Sequence, residues 1–250
     1  SIESEKSELV EEAVSSYESV NEALSAIELS DKRKAIAALE KAVGKLEVLL
    51  ARDPDLAFVP VDAFIKTVDL STDLETIISI KKAAKKAIAD DRFQSVRDEI
   101  SNLASEIQIS TVEIPLATFP AALKRAAAEL EKDNLQEAKV ILHIAINTFL
   151  ISEQRIPLPI LRAQAIINQA KSDDASSEDK KKEVTQLLEN AEYQILMAEE
   201  LGYGKRDKEY AELYKSIKEL KKSVKADKDS QGLFDSLKNK LEAFKNRIVS

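Results

Sequence analysis

Glycine is scarce in this chain, with four in 250 residues. Glycine supplies the positive φ of tight hairpin turns and the open backbone of phosphate-binding loops. A chain this poor in it cannot be built from many short β-hairpins, and it carries no Walker loop, Rossmann fingerprint or Gly-x-Ser-x-Gly elbow. The remaining architecture is helical, and an apolar content of 44% is enough to pack it.

The apolar residues recur at helical spacing. Leu9, Ala13, Tyr17, Val20, Leu24 and Ile27 mark a first helix, and Ile36, Leu39, Val43, Leu46 and Leu50 a second that ends at Asp53-Pro54. Period-two alternation then takes over in Val59–Asp69, with Val61, Ala63, Ile65 and Thr67 on one face. Thr72-Asp73-Leu74-Glu75 reads as a capping box opening a third helix. Phe93, Val96, Ile100, Leu103 and Ile107 predict a fourth. Two more extended pieces run up to Pro115 and Pro157. Between them, one helix opens near Pro120 and another at Asn134, with Glu137 as its box partner. Pro159 opens the next helix. Lys171–Ser177 reads as a linker, and three further helices follow, the first stopping at Gly202.

A shift of 42 residues superimposes part of the chain on itself. Asp91 falls on Asp133, Phe93 on Leu135, Val96 on Ala138, Ile100 on Leu142 and Pro115 on Pro157. A weaker copy precedes these and ends in Val59-Pro60-Val61. The predicted fold class is therefore mainly α. About ten helices form a repeat-like bundle, and short extended segments near 59–69, 108–115 and 149–157 are candidates for a small sheet. Three regions are expected: an acidic helix over 1–30, a repeat-containing core over 31–170, and a three-helix segment over 178–250 packed on that core as one compact domain.

Composition excludes several chemistries. Without cysteine there is no disulfide, thiolate nucleophile or cysteine-bound metal, and a single histidine rules out a multi-histidine metal site. No cofactor or metal is expected. A net charge of −8 argues against nucleic acid as a partner. No apolar run is long enough to insert in a membrane. Residues 1–30 hold eight acids and one base, so nearly all of the charge sits there.

Four residues are candidates for binding a ligand, each beside a plainer reading that is preferred. His143 adjoins an apolar stripe and would accept a proton or touch a ligand; otherwise it is a helix histidine with a satisfied hydrogen bond. Arg162 and Gln164 enter a helix within an apolar stretch and would hold an anion; otherwise the arginine bonds loop carbonyls. Tyr203 lies between Gly202 and Gly204 and would border a ligand close to the backbone, or plug a gap. Lys81, Lys82, Lys85 and Lys86 form a basic ridge read as a solvated face. Asp90-Asp91 and Asp173-Asp174 read as turn and linker residues. No nucleophile–base–orienter set is visible, so the chain is expected not to be an enzyme.

Three pieces, Glu113–Ala122, Ile156–Gln164 and Ala198–Gly204, resemble the YfdX family over about residues 31–248. The resemblance implies a mostly helical bacterial protein linked to stress and acid response, often made with a signal peptide. It also implies chaperone-like or small-molecule-binding roles. The chain opens on Ser1 and its only methionine is Met197, so a processed N-terminus and a periplasmic location are expected, with the cytoplasm as the alternative. The leading expectation is a non-enzymatic protein binding partner proteins or small molecules in grooves between repeats. The alternative is a scaffolding subunit that docks a partner or forms a homo-oligomer through its helical faces. A hydrolase using groove carboxylates ranks last.

Overall fold

A computed structural model of the chain describes residues 2–172, 177–204 and 208–249. In chain order the elements are α1 (Ile2–Glu28), α2 (Lys32–Arg52), β1 (Phe58–Val68), α3 (Leu74–Ala89), a 3-10 turn (Phe93–Val96) running into α4 (Arg97–Ser101), and β2 (Glu106–Pro115). There follow α5 (Phe119–Glu131), α6 (Leu135–Ile146), β3 (Leu150–Pro157), α7 (Leu158–Ser172), α8 (Glu178–Leu201), α9 (Lys208–Lys225) and α10 (Gln231–Ile248). The three strands pair in the order β1-β2-β3 as an antiparallel sheet. The repeat is thus an α-α-β unit used three times, followed by four helices without a strand.

Among the described residues, four helical hairpins turn on a residue other than glycine in the left-handed region. Ser30, Asp91, Asp133 and Asp227 have φ of 57°, 57°, 63° and 59°. Each sits where the helix closes a six-residue bond, as in Asp31 N–H to Ala26 O (2.8 Å), Arg92 N–H to Ala87 O (2.8 Å) and Asn134 N–H to Glu129 O (2.9 Å). Gly202, with φ of 91°, does the same after α8. The short polar side chains tolerate a geometry that costs most residues about 1–2 kcal/mol. This is how a helical chain can have so few glycines.

The chain forms two compact units. The first holds residues 1–64 and 109–153, the second residues 65–108 and 154–250. In the first unit α1 lies along α2, α2 packs on α5 and α6 on α5 and α1. Its core is rich in small residues, including Ala13, Ala23, Ala35, Ala38 and Ala42, which let the helices approach closely. The buried Ser16 hydroxyl donates to Ala42 O at 3.1 Å. The second unit has a core drawn entirely from α7–α10, among them Ile160, Leu188, Tyr210, Ile217, Leu237 and Phe244. The α3–α4 hairpin buries Ile77, and Ala84, Ala87 and Val96 form a small cluster of their own.

Local structure departs from the sequence expectation in four places. The cap of α3 is Asp73, one residue beyond the expected threonine, and its carboxylate accepts from Thr76 N–H at 2.8 Å. That backbone donor holds the Asp73 carboxyl below its ordinary value. The expected helix through Ile107 is one turn and a five-residue helix, because β2 claims the chain from Glu106. Asn134 makes no side-chain cap; its amide donates to Glu129 instead, at 2.8 Å. On β1 only Val59 and Val61 are buried, and the alternation at Ala63, Ile65 and Thr67 marks an exposed stretch of strand. Residues 173–176 of the expected linker, with Asp173-Asp174, lie outside the described residues.

Candidate functional site

The polar centre of the second unit is Ser105, which is 1% exposed. It stands between α4 and β2, and all three of its polar groups are used. Its N–H donates to the Tyr203 hydroxyl at 2.9 Å, its carbonyl accepts from Leu158 N–H at 2.9 Å, and its hydroxyl donates to Asp69 at 2.9 Å. One residue therefore ties the end of β1 to the first residue of α7 and to the stop of α8. The other oxygen of Asp69 accepts from Arg162 at 2.6 Å. The Arg162 guanidinium, helped by the Ser105 hydroxyl, holds the Asp69 carboxyl below the usual carboxylate range.

Tyr203 is held from both sides. Burial pushes its phenol far above the ordinary value, so it stays neutral and donates to the Glu106 carboxylate. Glu106 is buried, and its Oε1 accepts from Gln108 at 2.8 Å and faces Arg155 at 3.7 Å. The backbone carbonyl of Tyr203 accepts from the Tyr210 hydroxyl. A side chain at Gly204 would sit 2.9 Å from Ile248 and 3.2 Å from Phe244, so α10 fills the space that glycine leaves there. Tyr203 packs on the core of α7–α10 and bonds to Ser105, Glu106 and Tyr210.

The structure brings together Arg162 and Tyr203, linked through Ser105. It separates the other two candidates. Gln164 faces away from this network and donates to Glu242 on α10 at 2.6 Å. His143 is exposed on α6 in the first unit, one turn after Lys139, which pairs with Glu28 at 2.9 Å. In the lysine ridge, Lys81 pairs with Glu200 at 2.5 Å, while Lys82, Lys85 and Lys86 are exposed. Asp90 ends α3 and Asp91 makes the left-handed turn, as expected of turn residues. The sequence reading missed Asp69, Ser105 and Glu106. None of them lies on a periodic stripe, and only the fold brings Asp69 and Ser105 within reach of each other.

The first unit carries the more open feature. A groove between α5 and α6, about 180 Å³ in volume, is floored by Phe119, Ala122, Ile141 and Ala145. Val140 and Ile144 flank it at 49% and 60% exposure, and Arg125, Glu137, Thr118 and Thr148 supply a polar rim. Phe119 is fixed from behind by Phe149, with ring centroids 5.0 Å apart, and Phe149 in turn by Tyr17 at 5.4 Å. The sequence signal is visible in retrospect. From Val140 to Ile146, His143 is the one polar residue, so α6 is apolar on more than its core side.

Among the described residues no three histidine or carboxylate groups cluster to hold a metal, and no helix is long and apolar enough to cross a membrane. No curated protein matches the chain. A solved structure of Salmonella Typhi YfdX is similar at 11% identity, covering 59% of this chain and 91% of that one, with a TM-score of 0.40. The family match is shorter at its C-terminal end than the expected span: it includes Glu113–Ala122 and stops before the pieces at 156–164 and 198–204. From the middle of α1 to the end of β3, residues 16–155 match the family described as YfdX protein, and the chain belongs to the YfdX family.

Proposed function

We propose that this YfdX-family chain is a non-enzymatic, stress-associated protein of the bacterial periplasm. It holds apolar segments of partner proteins, or small apolar ligands, in a chaperone-like manner. The α5–α6 groove supports this reading, because it leaves Val140 and Ile144 open to solvent above a fixed aromatic floor. Covering two half-exposed aliphatic side chains contributes on the order of 3–5 kcal/mol before the cost of association. The cost of association offsets most of that gain, so the groove supports at most weak, reversible binding, which suits a protein that must release what it holds. The commitment of all three polar groups of Ser105 to neighbouring elements favours a fastening role for that network over a reactive one.

The test is suppression of heat-induced aggregation of citrate synthase at neutral and acidic pH, with a Val140→Asp/Ile144→Asp variant beside the parent chain. Both positions are exposed, so the variant should fold normally and lose most of the suppression. A parent chain that suppresses nothing at several-fold molar excess would refute the chaperone reading.

A further inference from the structure

The sheet leaves both of its edges open. In the order β1-β2-β3 the outer strands are β1 and β3, and an outer strand presents backbone N–H and C=O groups that another strand can take up. β1 is the longer of the two, eleven residues against eight. Its Val59 and Val61 are buried, but from Asp62 to Thr67 every residue is exposed, so neither face of this stretch is covered. Phe64 and Ile65 stand there at 58% and 72% exposure, one on each face. Pro60 has no N–H to give, in keeping with an edge strand, and every residue of β1 after it keeps its donor.

β1 carries two charges, Asp62 and Lys66, and they stand symmetrically about Phe64. Neither has an ion pair among the described residues; the Asp62 carboxylate accepts from the N–H of its neighbour Ala63 at 2.8 Å. A lysine on an open edge deters pairing with a foreign strand. A second β1 is different. Laid antiparallel and centred on Phe64, it brings Asp62 of each copy opposite Lys66 of the other. The same register sets Phe64 against Phe64 and Ala63 against Ile65, cross-strand pairs of the kind that stabilise sheets. Centring on Ala63 or Ile65 instead opposes Asp62 to Phe64 or to Val68, and both ion pairs are lost. β3 has less to offer, because its Arg155 already faces the buried Glu106 of its own chain at 3.7 Å.

We infer that two copies of this chain pair through β1, antiparallel and centred on Phe64, and join their sheets into one of six strands. Each copy presents the same strand to the other, so the contact closes on two copies. It uses none of the residues of the α5–α6 groove.

The experiment measures the mass of the whole chain by sedimentation equilibrium at micromolar concentration. The parent should approach twice 27.7 kDa. Asp62→Lys sets lysine against lysine, and Lys66→Asp sets aspartate against aspartate. Each variant alone should dissociate at least about tenfold more readily than the parent. Mixed in equal amounts they should pair again, because each then meets the opposite charge. Both side chains are exposed, so the far-UV circular dichroism of the variants should match the parent's. The chain has no cysteine, so Phe64→Cys supplies a single thiol. Mild oxidation should join two copies through it at least about tenfold faster than through Ile151→Cys on β3. Val140→Asp/Ile144→Asp should leave the mass unchanged, which separates this inference from the groove. A parent of single mass would overturn it and leave the edge to a strand of another protein. A doubled mass that neither charge variant lowers would overturn it in favour of a helical face. So would single variants that stay apart when mixed. A mass that climbs past two copies would overturn it in favour of β1 pairing head to tail with β3 of the next copy.

Discussion

Replacing Tyr203 by phenylalanine isolates the Ser105 network. The ring stays, so packing is kept and no cavity opens. The hydroxyl is lost, and with it the acceptor for Ser105 N–H and one donor to Glu106. Ser105 is almost fully buried, so its N–H cannot turn to water, and an orphaned buried donor costs about 1–3 kcal/mol. Glu106 keeps Gln108 and Arg155, so losing the third partner costs less than stripping a lone carboxylate. The total is about 2–4 kcal/mol, a large share of the ~5–15 kcal/mol of a typical domain. The control is Tyr193→Phe. The Tyr193 hydroxyl also accepts a backbone N–H, that of Leu74 at 3.2 Å, but Tyr193 is exposed and water can replace it. That change should cost under about 1 kcal/mol. The assay is urea unfolding at pH 7 followed by far-UV circular dichroism, since the chain has no tryptophan. If the units melt separately, only the step belonging to the second unit should move. Equal costs for the two variants would refute the claim that burial makes the Tyr203 contact strong.

Ser30→Gly and Asp91→Gly should each stabilise by about 0.5–1 kcal/mol, seen as a higher urea midpoint, because glycine takes φ near 57° without strain. Asp227→Gly should gain little or lose, since the Asp227 carboxylate pairs with the largely buried Lys181 at 2.6 Å. Asp69 has a lowered pKa in the folded state, so its contribution is complete above its unfolded value near 3.8 and is lost as pH falls through the folded value below that. Asp69→Asn should therefore reduce stability at pH 6 and bring it close to the parent's at pH 2.5, with a small amplitude because the pair is partly exposed. Removing residues 1–30 takes Ala13, Val20 and Ile27 out of the first core. That deletion should abolish the cooperative melting of this unit rather than merely raise the pI, as calorimetry would show.

Much of the fold is legible in the residues. The three extended segments appear within two residues of their expected ends, because β1 alternates with period two and β2 and β3 run up to a proline. The repeat survives because Asp91 and Asp133 do the same work at the same place, holding a left-handed turn. The shortening of α4 was not legible: Ile107 fits a helical stripe and a strand equally, and the pairing of β2 decides between them. Among the site residues, the proximity of Arg162 and Tyr203 depends on Ser105, which has neighbours from three distant segments and no local pattern of its own. The groove is hidden because Val140–Ile146 is apolar at every position but His143, and only burial shows which apolar residues of a helix are left over.

The first unit has a consequence for how the chain is made. Helices α1 and α2 leave the ribosome long before α5 and α6, which complete their core. The intervening stretch from residue 53 to 118 includes all of α3 and α4, which belong to the other unit. At roughly 5–20 residues per second, α1–α2 waits on the order of 5–20 s with Leu39, Leu46 and Leu49 uncovered. A nascent chain in that state leaves those leucines open for a chaperone to hold. Its closure is timed by the arrival of α6 and not by any property of the helices that wait.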